Sequence, residues 1–210
     1  MPNIADDSRE DFMKTKTKQQ LMIERLVLTA LLTAIVAILA YFGGFIKIGG
    51  LASISLTLIP VVLGAALCGP FIGAWLGAVS GAVFFMTADA AFWLGLSIPG
   101  TIITVMVKGT VSGFLAGLAY KALEKFNRYA AVLVSAVVAP VVNTGIFLIG
   151  SLIFFIDTVS AGATAEGMSV GGYLIIFFVG LNFVFELIVN VCLSPAILRI
   201  INIKTKKKTR

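Results

Sequence analysis

Along the chain, apolar residues gather into six runs set apart by glycine, proline or charged breaks. A helix needs roughly 20 such residues to cross a hydrocarbon core of about 30 Å, so the runs predict membrane-crossing helices. The first covers Leu21 to Phe42 and ends at Gly43-Gly44. The second, Ile54 to Leu67, holds Pro60 and stops at Cys68-Gly69-Pro70; its shortness predicts a tilted, kinked or partly re-entrant segment. The third runs from Phe71 to Ala88, followed by an expected loop, Asp89 to Gly100, in which Phe92 and Trp93 sit where an interfacial aromatic belt belongs. The fourth spans Thr101 to Leu123 and the fifth Tyr129 to Ile156, with the polar turn Glu124 to Arg128 between them. A small, polar loop, Asp157 to Gly171, precedes the sixth span, Gly172 to Ile201.

Composition agrees with the pattern. The chain is 59% hydrophobic and 12% charged, about half the charge of an ordinary soluble domain. Residues 1–20 read as a polar segment of mixed charge without a signal-peptide cleavage pattern, 21–201 as one six-helix domain, and 202–210 as a basic tail. Cys68 and Cys192 have no CxxC spacing and read as packing residues.

Charge distribution sets the orientation, because cytoplasmic loops retain lysine and arginine. Fourteen of sixteen positive residues fall in the N-terminal region, the turn between spans four and five, and the C-terminal end. They share one side only if the number of spans is even. The sequence therefore predicts an all-α integral membrane protein of six transmembrane helices with both termini cytoplasmic. The opposite side keeps Asp89, Asp157 and Glu166 with Lys47. Beside a membrane span, the tail Lys204 to Arg210 marks the inner face and attracts anionic lipid; a nucleic-acid partner is not expected.

Two spans carry doubled GxxxG stripes, Gly73/Gly77/Gly81 and Gly109/Gly113/Gly117, which predict close helix packing inside the chain. Ala30 and Ala34 form a comparable small face on the first span. That face serves internal packing or receives a helix of another subunit.

Charges within spans are costly, about 2.5 to 3.5 kcal/mol each on insertion scales, so Lys108 and Glu186 are candidate functional residues. They pair with each other or with backbone groups, or they face a cavity and hold a polar solute, Lys108 a carboxylate and Glu186 hydroxyl or amide donors. Asn143 and Thr144 lie midway in the fifth span, while Asn182, Glu186 and Asn190 recur every four residues on one face of the sixth. For any one asparagine, interhelical bonding is the plainer role. A proton-relay role for Glu186 would instead make a secondary transporter, against which stand the small size and the lack of repeated halves or a second intramembrane acid. With no histidine to serve as a general base, and no HExxH or GxxxxGK[ST], neither an enzyme, a metal site nor ATP hydrolysis is expected.

The Ala30-Leu-Leu-Thr-Ala34 face, the segment Leu56-Thr-Leu-Ile-Pro-Val-Val-Leu-Gly-Ala-Ala-Leu-Cys-Gly-Pro70, and the glycines Gly73, Gly77 and Gly81 resemble the S components of energy-coupling factor (ECF) vitamin transporters over Leu21 to Ile201. The resemblance implies a solute binder in the bacterial plasma membrane. Its pocket would lie near the outer side of spans four to six, capped by the loop after span one, where Lys47 and its neighbouring glycines stand. It also implies that Ala30 and Ala34 dock on a transmembrane coupling subunit, that two ATPase subunits supply the energy, and that the S component topples to release its vitamin inside. No cofactor is implied in this chain; ATP is used by the partners. Asn143-Thr-Gly-Ile-Phe147 and the pattern Asn182 to Glu186 followed by Pro195 are similar to pantothenate-specific members, although Phe183-Val-Phe185 departs from the glycine- and proline-rich stretch expected there.

Overall fold

The computed structural model describes residues 4–43 and 56–208, with side chains described for 18–43, 56–176 and 183–203. Lys47 and its glycine-rich loop lie outside the described residues, as does the side chain of Asn182. The described residues fold into helices α1 (Ile4–Gly43), α2 (Leu58–Cys68), α3 (Pro70–Phe84), α4 (Ala88–Leu96), α5 (Ile98–Leu123), α6 (Arg128–Phe154), α7 (Ile156–Ala165), α8 (Val170–Tyr173) and α9 (Gly180–Lys208). Four stretches are long and apolar enough to cross a membrane: Lys18–Gly43, Ile98–Leu123, Arg128–Phe154 and Phe183–Ile203. A fifth arises if α3 and α4 together make one span; α2, with 11 residues, is shorter.

Three expected features differ. The expected loop after the third span is mostly helix α4, turned 84° from α3. The turn is local: Thr87 is extended (φ −92°, ψ 158°), and its hydroxyl donates to the Phe84 carbonyl at 2.7 Å, closing α3. Trp93 on α4 does not sit in an exposed belt. It is 7% exposed among aromatic rings, whereas its neighbour Phe92 is exposed. The expected loop after the fifth span likewise holds helix α7, whose Val159 and Ala163 are buried.

The sixth span is broken rather than continuous. After α8, residues Leu174–Val179 form a π-helical turn, and Gly180 (φ +20°, ψ −144°) separates it from α9. A side chain at Gly180 would be strained in that backbone region. π-Turns and interrupted spans free backbone polar groups and occur where a helix lines a site.

The two glycine stripes meet as expected. A Cβ placed on Gly73 would overlap the carbonyl of Gly113, and one on Gly77 that of Gly109, while Gly81 faces the Val105 carbonyl and Gly117 faces Pro70. The pairing runs antiparallel in constant register, so α3 and α5 touch backbone to backbone. Where lipid removes the hydrophobic drive between helices, such close approach supplies the packing.

Helix α1 rests on α2 and α3 through Leu32 and Val36, which pack with Val61 of α2 and Leu76 of α3. Ala30 and Ala34 point the other way and are exposed. Arg25 donates from its guanidinium to the carbonyl of Cys68, the last residue of α2, capping a helix end whose dipole favours a cation. Cys68 is buried and Cys192 exposed, and both are free thiols.

Candidate functional site

Helix α5 is started by Ser97, whose hydroxyl accepts from the Gly100 amide at 3.2 Å, with Pro99 in the first turn, where the missing amide hydrogen costs nothing. From there Thr101, Thr104, Lys108 and Ser112 follow at intervals of three and four, one polar stripe on an otherwise apolar helix. Thr101, Thr104 and Ser112 are buried and Lys108 is half-buried.

The Lys108 ammonium lies 4.7 Å from the ring centroid of Phe147 on α6 and 5.9 Å from that of Phe84 on α3. Ring faces attract a cation, by about 0.5 to 2 kcal/mol depending on desolvation. The opposing charge comes from Glu186 on α9, whose carboxylate acts electrostatically on Lys108. Glu186 is 6% exposed, so the two intramembrane charges are brought together in the packed bundle. Both alternatives for Lys108 thus touch the same place: it has a charge partner, and it stands among aromatic walls.

Around the pair, Trp93 packs edge-on against Phe147 at 5.4 Å and Phe155 at 5.3 Å. The Thr101 hydroxyl donates to the Trp93 carbonyl at 2.7 Å and so fastens α4 to α5. Val159 of α7 and Leu174 close the same cluster. The end of α6, α7 and the π-turn therefore converge on Trp93 of α4, which Thr101 ties to the start of α5.

The other expected residues fall as follows. Asn143 is buried and Thr144 half-buried on α6; both reach this region by register, lying four and three residues before Phe147 on its face. Asn190 is 1% exposed, and its amide nitrogen donates to the Glu186 carbonyl at 2.8 Å, while its Oδ1 has no hydrogen-bond partner among the described residues. Buried acceptors are almost always satisfied, so a bare one marks a place where a donor fits. The Thr104 hydroxyl, one turn above Lys108, is bare in the same sense. Ser194, also buried, extends the four-residue spacing of Glu186 and Asn190 further down α9.

Phe84, Phe147, Trp93 and Thr104 are site residues that the sequence reading does not name as such. Thr104 and Phe147 carried a usable signal, being one turn from Lys108 and Asn143. Phe84 and Trp93 carried none, because their place depends on the α3–α4 elbow. Among the described residues no three histidine, cysteine or acidic side chains come together as a metal site would require.

Among curated proteins and among solved structures, none matches this chain. Residues 24–198 match the family described as ECF transporter, substrate-specific component. That stretch runs from Glu24 in the first membrane helix to Leu198 in the last, and takes in the glycine seam and every element around Lys108. The chain is accordingly a substrate-binding membrane subunit, a transporter part rather than an enzyme, and it belongs to the family of ECF transporter substrate-specific components.

Proposed function

We propose that this subunit captures a small, carboxylate-bearing vitamin, with pantothenate the first candidate, between α5, α6 and α9, and delivers it inward with an ECF coupling subunit and two ATPases. The observation that carries the reading is the placement of Lys108: an ammonium beside two phenyl rings, under the influence of the buried Glu186 carboxylate of α9. A solute carboxylate would take Lys108 in a charge-assisted bond, its hydroxyl and amide groups would meet Glu186, Asn190 and Asn143, and its carbon skeleton would lie on Phe147 and Phe84. Asn182 and Thr144 complete the proposed set. Pantothenate has these groups in one molecule.

In this reading the chain crosses the membrane of a bacterial cell six times, α2 and the bent α3–α4 pair each accounting for a crossing. Both termini are cytoplasmic. Among the described residues Lys121, Lys125, Arg128 and Arg199 lie toward one end of the bundle, and Asp89, Asp157 and Glu166 toward the other, which supports that orientation. The coupling subunit would dock on Ala30 and Ala34, which are exposed while Leu32 and Val36 on the same helix are buried. Small exposed residues let a second helix approach closely.

Titrating the purified, detergent-solubilised chain with a panel of water-soluble vitamins tests the proposal. The expected result is sub-micromolar binding of one vitamin, on the order of 9 kcal/mol, weakened by Lys108→Ala. Binding of a different vitamin would replace pantothenate and keep the site. Uptake by the isolated chain in liposomes, gradient-driven and lost in Glu186→Gln, would replace the whole reading with secondary transport.

A further inference from the structure

The turn between α5 and α6 is not used by the site described above. It lies at the end of the bundle opposite Trp93, and its sequence is Lys121-Ala-Leu-Glu-Lys-Phe-Asn-Arg-Tyr129. Phe126 at its tip is 88% exposed, the highest value among the large apolar residues described. It stands three residues beyond the end of α5, where the chain has left the apolar span. Exposed apolar side chains along a span need no explanation, since lipid covers them; a phenyl ring on a polar turn beyond the span does.

Its surroundings are cationic. Lys125 precedes Phe126, Arg128 follows two residues on, and Lys121 sits one turn before Lys125; all three are exposed. Glu124 is half-buried and is the one acid in the stretch. Tyr129 is 50% exposed beside them. Phe71, 80% exposed, begins α3 at the same end, because Pro70 packs on Gly117 of α5. The turn is also fixed in shape: the Asn127 side chain accepts from the amides of Tyr129 at 2.9 Å and Ala130 at 3.2 Å, so the tip is held by its own cap.

We propose that this tip is a membrane anchor, with Phe126 inserted at the depth of the lipid head groups and Lys121, Lys125 and Arg128 holding the phosphates of anionic phospholipids around it. A rigid aromatic between long cationic side chains suits that layer, where the ring meets acyl chains and the charged heads stay in water. Each cation near an anionic surface contributes about 1 kcal/mol. Charge favours this occupant over a protein groove: three exposed cations flank a protruding aromatic ring. The inference requires that the chain spans a bilayer and is independent of which vitamin is bound.

The test uses the full chain reconstituted in bilayers, with Phe126→Trp in a chain also carrying Trp75→Phe and Trp93→Phe. Quenching by lipids with brominated acyl chains, on phosphatidylglycerol or on phosphatidylcholine, gives the relative association of each at the tip. Expected are shallow quenching by brominated lipid, weak quenching by aqueous iodide, and a preference for phosphatidylglycerol that falls roughly tenfold or more in Lys125→Gln/Arg128→Gln, as two cations imply. Strong iodide quenching in both bilayers, or equal association of the two lipids, overturns the proposal. So does shielding that arises only when a coupling subunit is reconstituted alongside, which would make the tip a protein contact. Should the tryptophan variant fail to fold, hydrogen exchange over residues 121–130 of the native sequence decides instead: slower exchange in phosphatidylglycerol bilayers supports the anchor, and equal rates overturn it.

Discussion

On the side facing α3, helix α5 offers Gly109, Gly113 and Gly117, and the contact is made by backbone. Toward α6 it offers Thr104 and Lys108, and the contacts are made by side chains: the Thr104 hydroxyl against Gly150 and the Lys108 ammonium at the Phe147 ring, with the Phe84 ring at the end of α3 on the ammonium's other flank. One helix thus has a seam with no side chains to rearrange and, about a quarter-turn away, a site composed entirely of them. A charge is kept within an apolar bundle by this division of one helix. The seam fixes the height and rotation of α5 against α3, and with them the position from which Lys108 reaches Phe84. The binding side can then exchange partners without the helix moving.

Substitutions should separate the two sides. The largest effect is expected at the seam: Gly77→Leu puts a side chain where the Gly109 carbonyl already is, and neither backbone can yield. The loss should exceed the roughly 1 to 3 kcal/mol typical of overpacking, seen as aggregation or a collapsed thermal transition, with binding lost alongside. Next comes Lys108→Ala, for which a fall in vitamin affinity of about 100-fold is expected, since truncating one member of a buried charge pair costs about 2 to 5 kcal/mol. Helical content should be retained in circular dichroism. The double variant Lys108→Met/Glu186→Leu sharpens the point: it should recover thermal stability relative to Lys108→Ala, because removing both charges leaves none unpaired, yet it should not bind.

A smaller effect is expected from Phe147→Leu, which keeps apolar volume but removes the ring under the ammonium. Affinity should weaken roughly fivefold to tenfold by calorimetry, in line with a cation–π contact of about 1 kcal/mol. Smallest for the isolated chain is Ala34→Leu. Vitamin titration should be unchanged, while co-purification with the coupling subunit drops. Equal loss of binding in Gly77→Leu and Ala34→Leu would erase the distinction between seam, site and docking face.

Much of this architecture could be read from the sequence, and the omissions have physical causes. The paired glycine stripes predicted that their helices meet, because a four-residue repeat of glycine leaves few other uses in lipid. Lys108 and Glu186 stood out because charge in a span is rare. The 84° elbow did not show: Ala88–Leu96 is apolar enough to continue α3, and nothing in its periodicity distinguishes a bend from a belt. Trp93 was therefore expected at an interface and is buried instead. The break at Gly180 was equally hidden, since one glycine in an apolar run is tolerated in a membrane helix. Helix α7 reads as a loop on its small polar residues, although Val159 and Ala163, four apart, give it one buried side.

Helix α1 runs unbroken for 40 residues from Ile4 to Gly43, yet its apolar run begins only at Leu21. At 1.5 Å per residue, the preceding turns extend it by about 26 Å. A stiff rod of that length behaves as a lever: a sideways push on its free end becomes a torque about the place where it is pinned, and Arg25 on the Cys68 carbonyl is such a pin. Beyond the pin, the load falls on Leu32 and Val36 and passes to α2 and α3. A protein that grips the overhang could thus turn the whole bundle while touching none of the residues around Lys108.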